Sequence, residues 1–215
     1  MQDVWAGRRE MLQGAIYRQM DATPFTCGQL VREQVEASDP AGYETAAFAC
    51  LAAAEAAGGS AAAALPGALS MAFLSQMALV FVGLENSGGA ASLSTAWGMP
   101  RALNAGDAMF ALAHQSLLAA PDELTTEEHL QATRILDSGS REIVEALFAA
   151  NGDGDLAATG QRALLSPAMA LGGLLGGADA GARERLEQLG HQWSLLPAEA
   201  LSRQLASDPR RWLAT

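Results

Sequence analysis

The chain has 215 residues, half of them apolar, and a formal net charge of −11 without a single lysine. This length suits one domain with a sizeable core, and the dominance of alanine and leucine favours helix. We therefore expect residues 1–215 to form a single all-helical domain. The acidic balance argues against nucleic acid and anionic membranes as partners, and the lack of lysine excludes a Schiff base.

Turn-forming residues divide the sequence into helix-length segments. Ser38-Asp39-Pro40 and Gly58-Gly59-Ser60 have the chemistry of helix stops and starts. Alternating strand-like patterns are absent, so the predicted fold class is all-α. The predicted helices span 3–21, 25–37, 42–57, 61–84, 98–119, 125–150, 155–176 and 179–196, with a short tail from 197.

One segment, 61–84, is apolar and long enough to cross a bilayer, which takes about 20 residues of helix. Pro66, Ser70 and Gln76 interrupt it, and no positive residues flank it closely. We expect a buried central helix of a cytoplasmic protein, since the N-terminus MQDVWAGRREML also lacks an apolar signal core. A membrane-associated protein built on 61–84 is the third and weakest hypothesis.

Several short features are expected to carry little chemistry. NSGGAASLST at 86–95 predicts a mobile surface link. NGDGD at 151–155 lacks the glycine and the terminal glutamate of a calcium loop, and so predicts a turn. Cys27 and Cys50 have no metal or redox spacing, and each is expected to be a small buried residue.

Four polar residues are candidates for acid–base or metal chemistry, but a structural interpretation is preferred for each. Asp107 and His114 lie two helical turns apart, about 10 Å, so they are not expected to touch. Glu142 and Glu145 share one helix face, which is expected to be solvated. The other two histidines have no ligand spacing around them.

Four blocks in order carry a resemblance to a known family. They are GYETAAFACLAAAEAAGG at 42–59 with the apolar run after it, WGMPRALNAGDAMFALA at 97–113, REIVEALF at 141–148, and GQRALLSPAMALGGLLGGADAGARERLEQLGHQW at 160–193. Together they resemble the trans-isoprenyl diphosphate synthases, or polyprenyl synthetases. The resemblance implies an isoprenoid-synthase-type helical bundle, truncated at the C-terminus because SLLPAEALS at 194–202 replaces the second aspartate-rich helix.

Members of that family condense an allylic diphosphate with isopentenyl diphosphate. Two DDxxD motifs hold Mg²⁺ against the departing diphosphate, and basic residues hold the second diphosphate. The resemblance places other residues at these positions in the present chain. Tyr43 and Glu44 stand where the family has Lys-Arg, and the first DDxxD region falls on Val82, Gly83, Glu85 and Asn86. Ala146 and Leu147 stand where the family has Gly-Gln, and Gln161 and Arg162 where it has Lys-Thr. We therefore expect neither catalytic nor metal-binding residues in this chain.

These losses predict a non-catalytic subunit, a pseudoenzyme that pairs with a catalytic trans-prenyltransferase and stabilises it or alters its product length. Mg²⁺ is then expected only in the partner. A homodimer of this chain is the alternative assembly. The resemblance implies an interface through helices 98–119 and 125–150. On the first of these, Phe110, Ala113 and Leu117 follow 3–4 spacing and Met109 flanks them, so this stripe is expected to pack against another chain. The competing interpretation is that this stripe only serves the internal core.

A second hypothesis keeps a ligand. The cavity of such a bundle is apolar in origin and could hold an isoprenoid without metal. A repurposed terpenoid enzyme could use Glu85 or Asp107 as an acid that protonates an alkene, and a prenyl-binding protein would need no acid at all.

Overall fold

The computed structural model describes residues 2–22, 25–38, 40–85, 93–119, 124–150 and 155–213. Within these ranges every regular element is helical, which confirms the predicted all-α class. The α-helices are α1 (Gln2–Asp21), α2 (Phe25–Ala37), α3 (Pro40–Ala56), α4 (Ala61–Glu85), α5 (Leu93–Trp97), α6 (Met99–Leu117), α7 (Thr126–Ala150), α8 (Leu156–Ala163), α9 (Leu165–Leu175), α10 (Ala180–Ser194) and α11 (Ala198–Leu205).

Helix α4 is the centre of the bundle. It packs along α3 and α6 and also contacts α7, α8 and α9. In the most apolar 18-residue stretch of this helix, 78% is buried inside the protein, as in the core helix of a soluble bundle. The hydroxyl of Ser70 lies 2.7 Å from the carbonyl oxygen of Ala113, so one of the residues that interrupt the apolar run links α4 to α6.

The structure divides one predicted helix and adds a short helix before another. Gly98 has φ of 81°, a conformation that favours glycine, and it separates the short α5 from α6, which matches the predicted helix 98–119. The predicted helix 155–176 breaks at Leu164 into α8 and α9. Pro167 in the first turn of α9 has no backbone N–H to continue the hydrogen-bond ladder, which accounts for the break.

The two cysteines and the two short segments 86–95 and 151–155 lie only partly within the described residues. Cys50 is fully buried, as expected, whereas the side chain of Cys27 lies outside the described residues. Of the predicted link 86–95, the last three residues belong to α5, and 86–92 lie outside the description. Asp155 caps α8 by accepting from the N–H of Ala158 at 3.0 Å, and the rest of 151–155 is likewise undescribed.

Helices α3 and α9 approach each other until their backbones touch. A Cβ added to Gly172 would lie 2.1 Å from the carbonyl oxygen of Cys50, and one added to Gly176 would lie 2.5 Å from that of Ala54. Both distances are below any tolerated contact, so only glycine fits at these positions.

The C-terminal segment, residues 198–213, folds back over the end of the bundle where α3 finishes. Leu201 and Leu205 of α11 are buried, and the ring of Trp212 packs edge-on against that of Trp193 at 4.8 Å between centroids. Asp208 caps the 3₁₀ turn Pro209–Arg211, which contacts α3.

Candidate functional site

The first and fourth motif blocks meet at one end of the bundle, which we call the motif end. A Cβ added to Gly42, in the first turns of α3, would lie 3.1 Å from Gln161 Nε2 and 3.4 Å from Leu79 Cδ1. Helices α3, α4 and α8 therefore bring these positions together, although 119 residues separate Gly42 from Gln161 in the sequence.

The third block reaches the same place. A Cβ added to Gly160 would lie 3.2 Å from the methyl group of Ala78 and 3.7 Å from Leu147 Cδ2. Leu147 is buried, whereas its neighbour Ala146 is partly exposed. The contacts that join α4, α7 and α8 at the motif end are thus apolar.

Glu44 is the most consequential replacement at the motif end. Its side chain is 3% exposed and is held by the guanidinium of Arg9 from α1, with Nε at 2.8 Å from Oε1 and Nη2 at 2.6 Å from Oε2. The hydrogen bond to Glu44 raises the pKa of Arg9, so the guanidinium keeps its charge beside the Glu44 carboxylate. A position that the resemblance assigns to a diphosphate-binding cation therefore holds a buried, paired anion.

Tyr43, beside it, is also buried. Burial raises the pKa of its phenol, the neighbouring charge of Glu44 raises it further, and a hydrogen bond with Gln13 lowers it in part. The phenol therefore stays neutral at physiological pH and supplies no cation or general base. Arg162 remains the single cation among the motif positions.

Two of the four named positions of the first aspartate-rich motif offer no ligand for Mg²⁺. Val82 is buried and Gly83 has no side chain, so neither offers the oxygen ligands that Mg²⁺ requires. The Glu85 side chain and all of Asn86 lie outside the described residues. In the part of the chain that the structure describes, no group of three or more His, Cys, Asp or Glu side chains could hold a metal ion.

The chain is similar in structure to several solved prenyl diphosphate synthases. A geranylgeranyl pyrophosphate synthetase from Pyrococcus horikoshii Ot3 superposes with a TM-score of 0.75 at 18% identity, over 90% of this chain. The chain spans 63% of that protein's length and 65% of the corresponding synthetase from Geoglobus acetivorans. The chain has the isoprenoid-synthase fold. The helical bundle implied by the resemblance is thereby confirmed.

Two further structures with this fold are matched over most of their own length. The geranyl diphosphate synthase small subunit from Antirrhinum majus is similar over 96% of this chain and 93% of its own, at 18% identity and a TM-score of 0.69. A mint heterotetrameric geranyl pyrophosphate synthase deletion mutant is matched over 99% and 93%, at 18% identity and a TM-score of 0.74. No protein-family model and no curated protein sequence matches the chain.

The structure corrects the predicted interface on α6. Met109, Ala113 and Leu117 are 0–5% exposed and belong to the chain's own core, because this stripe faces α4. They are not available to another chain, so the core interpretation holds for these three. Phe110 is 40% exposed, and its role at an interface stays a prediction.

A different apolar surface exists on the same part of the isoprenoid-synthase bundle. Seven of the nine large apolar side chains that are exposed among the described residues lie on α6, on α7 or directly after α6. We call them the α6–α7 face: Met99, Leu103, Phe110, Leu118, Leu130, Val144 and Phe148. Sequence periodicity missed it because the buried and exposed stripes of α6 are both apolar.

His114 makes a contact that the sequence did not indicate. Its Nε2 lies 2.9 Å from Asp137 Oδ1 on α7, and its Nδ1 lies 3.0 Å from the carbonyl oxygen of Phe110. Asp107 is exposed, so its carboxyl group is outside any apolar cavity that an alkene would occupy. This removes Asp107 as the candidate acid of the terpenoid-enzyme hypothesis.

The acidic pair on α7 is only partly solvated. Glu145 is exposed and pairs with Arg141 at 2.9 Å, as a surface residue does. Glu142 is half-buried, and burial raises the pKa of its carboxyl group; Arg141 and His191 offset part of this rise, and Glu187 and Glu145 add to it. Glu142 therefore carries its charge at a cost to folding, which the prediction of a solvated face did not include.

Proposed function

We propose that the chain is a trans-isoprenyl diphosphate synthase family member that has become a non-catalytic subunit. It pairs with a catalytic trans-prenyltransferase in the cytoplasm and stabilises that enzyme or alters the length of its product. Mg²⁺ belongs to the catalytic partner in this proposal, and the present chain contributes structure only.

The ion pair between Arg9 and Glu44 is the observation that carries the proposal. A diphosphate brings several negative charges, and a site for it needs cations that are free to receive them. At the motif end Arg9 is already engaged by Glu44, whose buried carboxylate also repels a second anion. Val82 and Gly83 add no metal ligands that could screen the repulsion.

The α6–α7 face supports pairing with another chain. Exposed aromatic and aliphatic side chains grouped on two neighbouring helices are typical of surfaces that become buried in an assembly. The similarity to a small subunit and to a heterotetrameric enzyme, each matched over 93% of its length, agrees with a partner of the same fold.

Co-purification with candidate synthases tests the proposal. The chain carries the only tag, and it is co-expressed with trans-prenyltransferases that retain both DDxxD motifs. Phe110→Asp places a charge in the α6–α7 face, while Leu195→Asp makes the same change at a residue that is 73% exposed after α10. Circular dichroism establishes that both variants fold.

The proposal predicts that a synthase co-purifies with the native chain and with Leu195→Asp, and that recovery falls at least tenfold with Phe110→Asp. Retention of every synthase by Phe110→Asp would show that the α6–α7 face is not the contact. If no synthase is retained and the chain elutes as a homodimer, the heteromer is wrong.

One observation favours the ligand-binding hypothesis as a second candidate. Among the described residues, Gln76 Nε2 is the buried side-chain nitrogen that lacks a hydrogen-bond partner, while its Oε1 lies 3.0 Å from the hydroxyl of Ser38. A buried donor without an acceptor is costly, and a neutral ligand oxygen would satisfy it. If farnesol raises the melting temperature of the native chain but not that of Gln76→Met, this function is supported. An equal rise in the native chain and in Gln76→Met would exclude Gln76 as the contact.

A further inference from the structure

A cavity of about 480 Å³ lies at the end of the bundle opposite the motif end. It is bounded by Arg8 of α1, by Glu55 and Gly58-Gly59 where α3 finishes, and by residues 205–210 of the C-terminal segment. Thirteen helical residues separate Glu55 from Gly42, a distance of about 20 Å along α3. The cavity is therefore separate from the degenerate motif positions.

The four charged side chains that line this cavity (Arg8, Glu55, Asp208 and Arg210) sum to zero formal charge, but they are not all paired with one another. The guanidinium of Arg8, whose side chain is 9% exposed, is bonded to the carboxylate of Glu55, and so those two charges offset each other. The contacts of Asp208 are made within its own turn: Oδ1 accepts from the backbone N–H of Arg210 at 3.1 Å, and Oδ2 lies 4.0 Å from Arg211 Nε. The guanidinium of Arg210 has no side-chain partner within the described ranges.

The lining also has the mixed character of a small-molecule site. Leu205, Pro209 and the two glycines contribute apolar surface, and two arginines and two acidic residues line the same space. Pockets of roughly 300–1,000 Å³ with apolar walls and a few polar groups are the usual size and composition of ligand sites. Guanidinium groups select carboxylates and phosphates because their donors match two oxygens at once.

We propose that this cavity binds a small organic or inorganic anion that bears a carboxylate or phosphate group, with Arg210 as its main ionic contact. The proposal is independent of the proposed function, because it concerns neither the motif end nor the α6–α7 face. Residues 205–210 form one wall, so a bound anion would join the C-terminal segment to α1 and α3.

The cavity wall is itself well anchored, which makes a test by substitution practicable. Trp212 Nε1 donates to the hydroxyl of Ser207 at 2.9 Å, and the Trp212 ring packs on Trp193. Arg210 takes no part in these contacts and is exposed, so Arg210→Gln removes the charge without disturbing the anchor.

The test is thermal unfolding of the full chain in a series of inorganic phosphate concentrations, with citrate as a separate series and sodium chloride at matched ionic strength. Arg203→Gln is the control, because Arg203 is exposed in the last turn of α11 and does not line the cavity. A ligand specific to the native state raises Tm in a saturable way, and about 3 °C is expected near saturation.

The native chain and Arg203→Gln are expected to show the saturable rise, and Arg210→Gln to lose at least half of it. A response to phosphate alone or to citrate alone identifies which anion the cavity accepts. No rise beyond that in sodium chloride, or an equal rise in Arg210→Gln, overturns the proposal.

Discussion

The two ends of α3 are built in opposite ways. In its second half, the backbones at Cys50 and Ala54 touch Gly172 and Gly176 of α9, and a single added carbon would meet a carbonyl oxygen. In its first turns, Gly42 meets the end of the Gln161 side chain, and Glu44 meets the flexible side chain of Arg9. One end is fixed by backbone contact and the other by replaceable side chains.

This difference explains how a fold can persist while its chemistry changes. Backbone-to-backbone packing leaves few acceptable residues, so α3 and α9 keep the geometry that gives a TM-score of 0.75 at 18% identity. At the motif end, a charged side chain can be exchanged for another if a partner satisfies it. Arg9 is such a partner for Glu44, and the bundle remains packed around the pair.

The largest effect is expected where the two backbones meet. Gly172→Ala puts a methyl group 2.1 Å from the Cys50 carbonyl oxygen, so α3 and α9 must separate, at a cost of about 3 kcal/mol in unfolding free energy. Gly7→Ala is the matched control: it has open space around it in α1, and its gain is up to about 1 kcal/mol. Urea unfolding measures both, and equal stability of the two variants would refute the backbone-contact account.

Removing Arg9 is expected to be the next largest change. Arg9→Ala leaves a buried carboxylate at Glu44 without its cation, and about 2 kcal/mol is lost because Arg9 itself is half-exposed. Arg18→Ala, an exposed arginine on the same helix, should change stability little. Glu44→Gln in the Arg9→Ala background should recover part of the loss, and the absence of any recovery would mean that the pair is not the cause.

A substitution at Gly42 tests the other side of the comparison. The new methyl group of Gly42→Ala would meet Gln161 Nε2 at 3.1 Å, and that amide can move aside, so a loss below about 1 kcal/mol is expected. The same urea experiment applies. A loss as large as that of Gly172→Ala would show that the motif end is as rigid as the α3–α9 contact.

The smallest predicted effect depends on pH and lies away from both ends of α3. The pKa of Glu142 is raised in the folded protein, so its ionised form is penalised there, and stability falls as pH rises through the carboxyl range. Glu142→Gln removes this penalty: the variant should match the native chain below pH 4 and exceed it slightly at pH 7. Melting curves at both pH values measure the difference, and a variant less stable at pH 7 contradicts the assignment.

The sequence predicted the features that depend on local pattern. The polar and proline interruptions of the apolar segment 61–84, together with its lack of positive flanks, predicted the buried central helix, and turn residues placed most helix ends within two residues. It missed relations between distant residues. Nothing near Glu44 indicates that Arg9, 35 residues earlier, neutralises it, and nothing near His114 indicates Asp137. The resemblance assigned an interface to helix 98–119, and periodicity could not say which of its two apolar stripes meets the core.

A prenyl-elongation assay on the isolated chain tests the central claim most directly. The protein is incubated with Mg²⁺, an allylic diphosphate and isopentenyl diphosphate, and products are identified by mass. The pairing of Arg9 with the buried Glu44 carboxylate, and Val82 and Gly83 in place of metal ligands, predict that no elongated diphosphate forms. Turnover comparable to that of an ordinary synthase, abolished by chelation of the metal, would contradict the account.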